Sequence, residues 1–183
     1  MDKLLNTCKL HLDDVKIIHL NFFDMFNAFL RKKIDAAVCA EPYATYIQIS
    51  GNATKLISLG ETVERIIPKM TAPVILFGVN LLERNPELGK RFMVVYLKGV
   101  KQFNQGKTER NLAILEKYFR IDKEVLRKGP WHTINPDRAV DARSLVDYQD
   151  WLYSKGYIDT KVNLEDIVGT RFIDYANRIL RKE

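Results

Sequence analysis

The stretch Ile34-Asp-Ala-Ala-Val-Cys-Ala-Glu-Pro-Tyr43 decides the predicted fold, because an apolar segment leads directly into a proline. Residues 34–40 are too few for a helix and show no polar alternation after Asp35, which is typical of a parallel strand buried on both faces. Pro42 cannot donate to a sheet ladder, but its fixed φ suits the first position of a helix. The stretch therefore predicts a central strand, a sharp turn at Glu41 and a helix from Pro42.

The segments around this stretch alternate between strand and helix patterns. Residues 15–20 and 55–59 are short apolar runs typical of strands, and Phe26 and Leu30 recur at helical spacing between them. Gly51 is the glycine expected just past the end of the second helix. This alternation predicts an α/β fold with parallel strands joined by right-handed crossovers.

We expect a small-molecule ligand at the end of the central strand. In open α/β sheets, ligands bind in the crevice outside the carboxyl ends of the strands. Glu41, Pro42 and Tyr43 follow the central strand, and Asn21 and Phe22 follow the strand before it. The ring and hydroxyl of Tyr43 suit a small-molecule cleft.

A structural role is also open for these residues. A carboxylate beside a helix N-terminus, such as that of Glu41, is stabilised by about 0.3–1 kcal/mol without any ligand. Tyr43 can equally pack between lobes. Asn21 and Phe22 can form an ordinary turn between a strand and a helix.

The second half of the chain is predicted to be one strand followed by helices. Asn85-Pro86 is a cap followed by a proline at the first helical position. One apolar stripe of this helix consists of Leu88, Phe92, Val95, Gly99 and Phe103. The strand is predicted at Pro73–Val79, and shorter helices after Thr108, at Asp122–Gly129, at Ala142–Lys155 and at Thr170–Arg181. We place a lobe boundary near residue 70, which divides the chain into residues 1–70 and 71–183.

The composition argues against nucleic-acid binding and against a membrane span. The chain has 183 residues, 46% of them hydrophobic, and a formal net charge of +6. Its basic residues are spread among 23 acidic ones, with no basic run longer than Arg31-Lys32-Lys33, so no basic stripe with stacking aromatics is present. No stretch is apolar enough to span a membrane, and the N-terminal residues lack the pattern of a signal peptide.

No residue pattern predicts catalysis, a metal site or a cofactor. Neither the spacing nor the context of Cys8 and Cys39 suggests a metal site or a disulfide framework. His11, His19 and His132 are too scattered for metal ligands, and no serine or cysteine nucleophile arrangement accompanies them. We therefore predict that the protein is not an enzyme.

Several short motifs occur in a characteristic order along the chain. They are Asp14-Val15, the strand to Leu20, Ala28-Phe-Leu30, Ile34-Asp-Ala-Ala, Glu41-Pro42, Gly51, Leu81 to Pro86, Gly156-Tyr-Ile158 and Ala176. Their order and spacing resemble those of bacterial ABC-importer substrate-binding proteins, in the branch that binds nitrate, taurine, alkanesulfonates or the thiamine pyrimidine precursor.

The resemblance implies a type II periplasmic-binding fold, with the ligand between two lobes joined by crossing strands. Residues 1–70 would form part of the second lobe, and residues 71–183 a crossing strand and the C-terminal helices of the first. The sheet of that first lobe would come from N-terminal sequence absent here, so the chain would be an N-terminally truncated member. Helix faces that include Phe92, Val95 and Phe172 would then be partly exposed, and the chain would associate with itself or with another protein.

The function implied is the binding of a small organic or inorganic solute for an ABC permease. The resemblance implies no cofactor, an extracytoplasmic location, periplasmic or membrane-tethered, and membrane contact only through the permease. Two alternatives stay open. The chain could be a non-binding truncated remnant or interaction protein, or an enzyme of thiamine-pyrimidine synthesis on the same fold, which a cysteine-rich metal segment would indicate and which this sequence lacks.

One departure concerns the helix before Ile34. The family usually has glycine at the end of that helix, where a left-handed conformation is required, whereas this chain has Lys32-Lys33. We therefore expect this helix end to be capped differently.

Overall fold

The computed structural model describes residues 2–50, 53–56, 74–135, 140 and 142–181. The chain forms two units, one made of residues 1–67 and 106–132 and the other of residues 68–105 and 133–183. Each unit therefore consists of two separate passages of the chain. The lobe boundary predicted near residue 70 lies outside the described residues.

The described residues fold into helices and turns joined by irregular segments. The helices are α1 (Asp2–Thr7), α2 (Phe22–Leu30), α3 (Tyr43–Ser50), α4 (Pro86–Phe103), α5 (Glu109–Phe119), α6 (Lys123–Lys128), α7 (Ala142–Ser154), α8 (Leu164–Ile167) and α9 (Arg171–Leu180). A 3₁₀ turn lies at Leu12–Asp14 and a π-helical turn at Asn80–Arg84.

The buried cluster of the first unit comes from the second passage of the chain, and Ile47 of α3 is buried in the first passage. Leu112, Ile121 and Leu126 are buried on and between α5 and α6. Tyr43 and Tyr46 of α3 pack against this cluster. Fully burying such aliphatic side chains stabilises a fold by roughly 1.5–3 kcal/mol each, so the early helices of this unit depend on the later ones.

The core of the second unit lies between α4 and α9. Met93 and Leu97 of α4 pack against Phe172 and Ala176 of α9. The two helices approach closely at Gly89, because a Cβ there would lie 2.7 Å from the ring of Phe172. A side chain larger than glycine at this position would therefore push the helices apart.

The face of α4 predicted from its apolar stripe is not the face that is buried. Leu88, Phe92 and Val95 are exposed, whereas the buried side chains of this helix lie on its other apolar side, at Met93 and Leu97. The helix is apolar on two sides, and periodicity cannot tell which side faces a neighbour. The expected exposure of Phe92 and Val95 is confirmed, and that of Phe172 is wrong because this ring fills the space beside Gly89.

The helix predictions for the second half of the chain are confirmed to within about one residue. Pro86 is the first residue of α4, and Asp122 caps α6 with its carboxylate accepting from Glu124 N–H at 2.7 Å. Thr108 caps α5 in the same way, with its hydroxyl accepting from Asn111 N–H at 3.2 Å. These signals act on backbone groups within the same helical turn, so they do not depend on how the rest of the chain packs.

The strand predictions at residues 15–20 and 34–40 are wrong, because the described residues contain no β-strand. The parallel sheet expected for the second lobe, residues 1–70, is therefore not observed in them. A strand is stable only when neighbouring strands pair with it, and a sequence pattern does not contain that pairing. Ile17, Ile18 and Val38 of these segments are exposed. The predicted strands 55–59 and 73–79 lie partly outside the described residues.

The prediction that α2 ends with a different cap is also wrong. Lys32 adopts the left-handed conformation itself, at φ +53°. Its N–H donates to the Phe29 carbonyl at 3.0 Å, and Lys33 N–H donates to the Ala28 carbonyl at 2.8 Å, which is the Schellman pattern that glycine usually allows. The hydrogen bonds of this cap compensate for a left-handed lysine, which costs roughly 1–2 kcal/mol.

Candidate functional site

The carboxylate of Glu41 is the centre of the candidate site. It lies before the first turn of α3, where one oxygen accepts a hydrogen bond from Thr45 N–H at 3.0 Å. The other oxygen forms an ion pair with Lys55 Nζ at 2.9 Å. Glu41 is thus held by both a helix end and a cation from a later segment, and its role as a helix-capping residue has a geometric basis.

These partners keep Glu41 ionised. Burial raises the pKa of the carboxyl, but the hydrogen bonds from Lys55 and Thr45 and the positive charge of Lys55 outweigh it, so the pKa lies below its ordinary value. A negatively charged acceptor of this kind suits a ligand that carries N–H or O–H donors. The ammonium of Lys55 suits a neighbouring anion.

Pro42 and Thr45 fix the backbone at this position. Helix α3 begins at Tyr43, one residue later than predicted, and the Pro42 carbonyl accepts from Tyr46 N–H at 3.0 Å. Thr45 is buried against the end of α6, where a Cβ on Gly129 would lie 3.1 Å from the Thr45 hydroxyl oxygen. The loop that bears Glu41 therefore rests on the core of the first unit.

An aromatic cluster adjoins this loop. The rings of Phe22 and Tyr43 are stacked, with centroids 4.5 Å apart and planes 7° apart. Phe119, at the end of α5, meets Tyr43 edge to face at 5.9 Å. Phe22 and Phe119 are partly exposed, so the cluster offers aromatic surface on which a planar ligand could stack.

Asn21 has a structural partner. It caps α2 through its side-chain oxygen, which accepts from Asp24 N–H at 2.9 Å, while its amide nitrogen donates to the Asp24 carboxylate at 2.6 Å. This is the role expected of an ordinary turn before a helix. Asn21 fixes the start of the helix from which Phe22 reaches Tyr43.

The structure thus brings together Phe22 and Tyr43, which the sequence placed after two different predicted strands. The sequence reasoning missed Lys55, Thr45 and Phe119. Lys55 lies 14 residues after Glu41, and no local pattern predicts an ion pair over that separation. For Thr45 the sequence offers only its position three residues after Pro42, in the first turn of the predicted helix.

Cys39 lies next to the site but is a poor nucleophile. Burial raises the pKa of its thiol, the charge of Glu41 raises it further, and Lys55 lowers it only in part. A thiol that stays protonated reacts slowly. Among the described residues, no three His, Cys, Asp or Glu side chains are placed to hold a metal ion.

Within the ranges that the structure describes, no helix combines the length and the apolar character needed to cross a membrane.

Comparison with known proteins gives one match. A protein-family model described as NMT1/THI5 like matches residues 1–106, which is more than half of the chain. The matched region contains Asn21, Phe22, Glu41, Tyr43 and Lys55 but not Phe119. No curated protein and no solved structure matches the chain.

Proposed function

Because the chain belongs to the NMT1/THI5-like family, whose members bind nitrate, taurine and thiamine precursors, we propose that it is the solute-binding component of an ABC importer. Membership supports a solute-binding role in general and implies a periplasmic-binding fold. Members are typically periplasmic and typically serve an ABC permease. We extend both properties to this chain as part of the proposal.

The proposed ligand site is formed by Glu41, Lys55, Phe22 and Tyr43. The observation that carries the proposal is that Glu41, one partner of an ion pair, and Tyr43, one partner of a ring stack, lie two residues apart at the start of α3. Small-molecule sites combine apolar and aromatic lining with a few polar groups that fix orientation. Asn21 caps the helix that bears Phe22, and Pro42 lies between Glu41 and Tyr43.

Among the solutes of the family, the site favours the thiamine pyrimidine precursor. A simple anion such as nitrate would have to compete with Glu41 for Lys55, and the carboxylate would repel it. An aminopyrimidine instead offers a flat face for Phe22 and amino hydrogens for Glu41, without displacing Lys55. Like charges at close range oppose binding, whereas stacking and charge-assisted hydrogen bonds favour it.

Isothermal titration calorimetry of the purified chain tests the proposal. The titrants are a hydroxymethyl aminopyrimidine, taurine, an alkanesulfonate and nitrate. We expect the aminopyrimidine to bind, and we expect Glu41→Gln and Tyr43→Leu to weaken that binding. Glu87→Gln is the matched control, because Glu87 is also ion-paired, with Lys90 at 2.6 Å, but lies in the other unit.

Two results would contradict the proposal. Absence of heat with all four solutes would remove the binding function. Binding that Glu41→Gln and Tyr43→Leu leave unchanged would place the ligand elsewhere and would leave Glu41 with its helix-capping role.

One observation favours a second candidate function, that of an interaction protein. The second unit exposes large apolar side chains, among them Leu76, Leu88 and Val95, and Phe77 of the segment before α4 contacts Phe92 of that helix. A contiguous exposed apolar surface is typical of a contact with another protein.

A further inference from the structure

Phe119 reaches the candidate site from the second passage of the chain. It is the last residue of α5 and lies outside residues 1–106, the region that the family model matches. Its ring meets the ring of Tyr43 edge to face, with centroids 5.9 Å apart and planes 82° apart. The matched region therefore contains the proposed ligand residues but not this ring beside them.

The backbone that carries Tyr43 is held in place by its neighbours. Thr45 is buried, and its N–H donates to the Glu41 carboxylate at 3.0 Å. The hydroxyl oxygen of Thr45 lies close to Gly129, where an added Cβ would be 3.1 Å away. Because the first turn of α3 is fixed in this way, the freedom left to Tyr43 is the rotation of its own side chain.

Two neighbouring rings restrict the rotation of the Tyr43 side chain. Phe22 stacks on the Tyr43 ring, with planes 7° apart, and Phe119 meets it at nearly a right angle. Aromatic pairs favour both arrangements, because the negative face of one ring attracts the positive edge of another. A ring that is parallel to one neighbour and perpendicular to a second has little freedom to turn.

Phe119 is itself fixed by the residues that follow it. Arg120 closes α5, with its N–H donating to the Glu116 carbonyl at 2.8 Å, and Ile121 belongs to the buried cluster of the first unit. The Phe119 side chain is 36% exposed and lies at the edge of this cluster. Shortening it to leucine therefore leaves the buried side chains of the unit in place.

We propose that Phe119 is a positioning residue of the ligand site, an inference that rests on the solute-binding function proposed above. Phe119 holds the Tyr43 ring parallel to Phe22, so the ring stack is already formed when a planar ligand such as an aminopyrimidine arrives. A side chain that becomes ordered only on binding lowers the affinity. Without the Phe119 ring, the ligand would have to order Tyr43 itself.

Isothermal titration calorimetry with the hydroxymethyl aminopyrimidine tests the proposal on the full chain. Phe119→Leu should raise the Kd by about two- to tenfold, which corresponds to the loss of one aromatic pair. Phe119→Tyr keeps the ring and should keep the affinity. Tyr118→Leu is the matched control and should leave the Kd unchanged, because Tyr118 is the adjacent ring, is 75% exposed and has the Lys117 ammonium 5.6 Å from its centroid.

A double-mutant cycle on binding separates positioning from a general loss of structure. Tyr43→Leu retains the Phe22 ring and the Glu41 carboxylate, so weakened binding remains measurable. Because Phe119 acts through Tyr43, adding Phe119→Leu to Tyr43→Leu should leave the Kd unchanged. A merely structural role would weaken binding equally in both backgrounds.

The outcomes distinguish this inference from the proposed function. An unaltered chain that does not bind the aminopyrimidine overturns both. Binding by the unaltered chain that Phe119→Leu weakens no more than Tyr118→Leu does overturns the role of Phe119 and leaves the proposed function standing. So does a Phe119→Leu effect of equal size with and without Tyr43→Leu, or a loss of affinity in Phe119→Tyr as large as that in Phe119→Leu.

Discussion

The ion pair between Glu41 and Lys55 should stabilise the first unit by about 1 kcal/mol. The perturbation is a double-mutant cycle of Glu41→Gln and Lys55→Met. The Lys55 ammonium lies 2.9 Å from the Glu41 carboxylate, and the two side chains are only 29% and 25% exposed. Exposed ion pairs contribute about 0.2–1 kcal/mol, and a pair with this little solvent around it belongs near the upper end.

Glu41→Gln alone should lower the free energy of unfolding by more than the coupling energy of the Glu41–Lys55 ion pair. The glutamine oxygen can still accept from Thr45 N–H, but a hydrogen bond to a neutral acceptor is roughly half as strong as one to a carboxylate. We therefore expect this single substitution to lower the free energy of unfolding by about 1–2 kcal/mol. Lys55→Met should lower it by about the coupling energy alone.

Urea denaturation at pH 7, followed by far-ultraviolet circular dichroism, measures the cycle. The control cycle is Asp150→Asn with Lys161→Met, whose atoms are 2.8 Å apart but whose side chains are about half exposed. Because solvent screens the control pair, its coupling should be at most a few tenths of a kcal/mol. A Glu41–Lys55 coupling no larger than the control would refute the reasoning.

The coupling should also depend on pH with a defined sign. The pKa of Glu41 is lower in the folded chain than its ordinary value of 4.5. A carboxyl whose pKa is lowered by folding contributes its full stabilisation at pH values above its pKa in the unfolded chain. This stabilisation is lost as the pH falls through its pKa in the folded chain. We expect a constant coupling above pH 4.5 and its loss at more acidic pH. A coupling that survives complete protonation would contradict the ion-pair interpretation.

Three further predictions concern separate features. Gly89→Ala should lower the free energy of unfolding by about 1–3 kcal/mol in urea melts, because the new Cβ meets the ring of Phe172 and a backbone carbonyl oxygen. Gly99→Ala on the same helix is the control: its Cβ has open space, so it should raise the free energy of unfolding by about 0.5–1 kcal/mol. Lys32→Gly should raise it by about 0.5–1 kcal/mol, since the left-handed cap no longer strains a side chain, and a loss of stability would contradict this account. Iodoacetamide should modify Cys39 faster in Glu41→Gln, as read by peptide mass spectrometry, because burial and then the Glu41 charge raise the pKa of that thiol; an unchanged rate would exclude the charge as a cause.

The helix ends could be predicted from the sequence because their signals are local. Pro86 and Asp122 mark the first turns of their helices, and Gly156, at φ +69°, follows the end of α7. In each case a proline, a capping side chain or a glycine acts on backbone groups within a few residues of itself. The strands could not be predicted in this way, since residues 15–20 and 34–40 carry a strand pattern but no information about a pairing partner.

In the candidate site, too, only the residues with local sequence signals could be predicted. Glu41 and Tyr43 could be located because an apolar run ends at Pro42, and Phe22 because it follows Asn21 at the start of a helix. Lys55 and Phe119 could not, because they reach the site from segments distant in sequence. The ligand residues Glu41, Pro42, Tyr43, Asn21 and Phe22 stay a prediction until binding is measured.

The division of each unit between two passages of the chain has a consequence for shortened forms of this gene. A stop codon after residue 106 would retain the whole segment that the family model matches. It would also delete Leu112, Ile121 and Leu126, the whole buried cluster of one unit, and Phe172 and Ala176, half of the buried cluster of the other. The product would keep every candidate ligand residue but lack much of the core that supports them. Cellular proteases would be expected to degrade it rapidly.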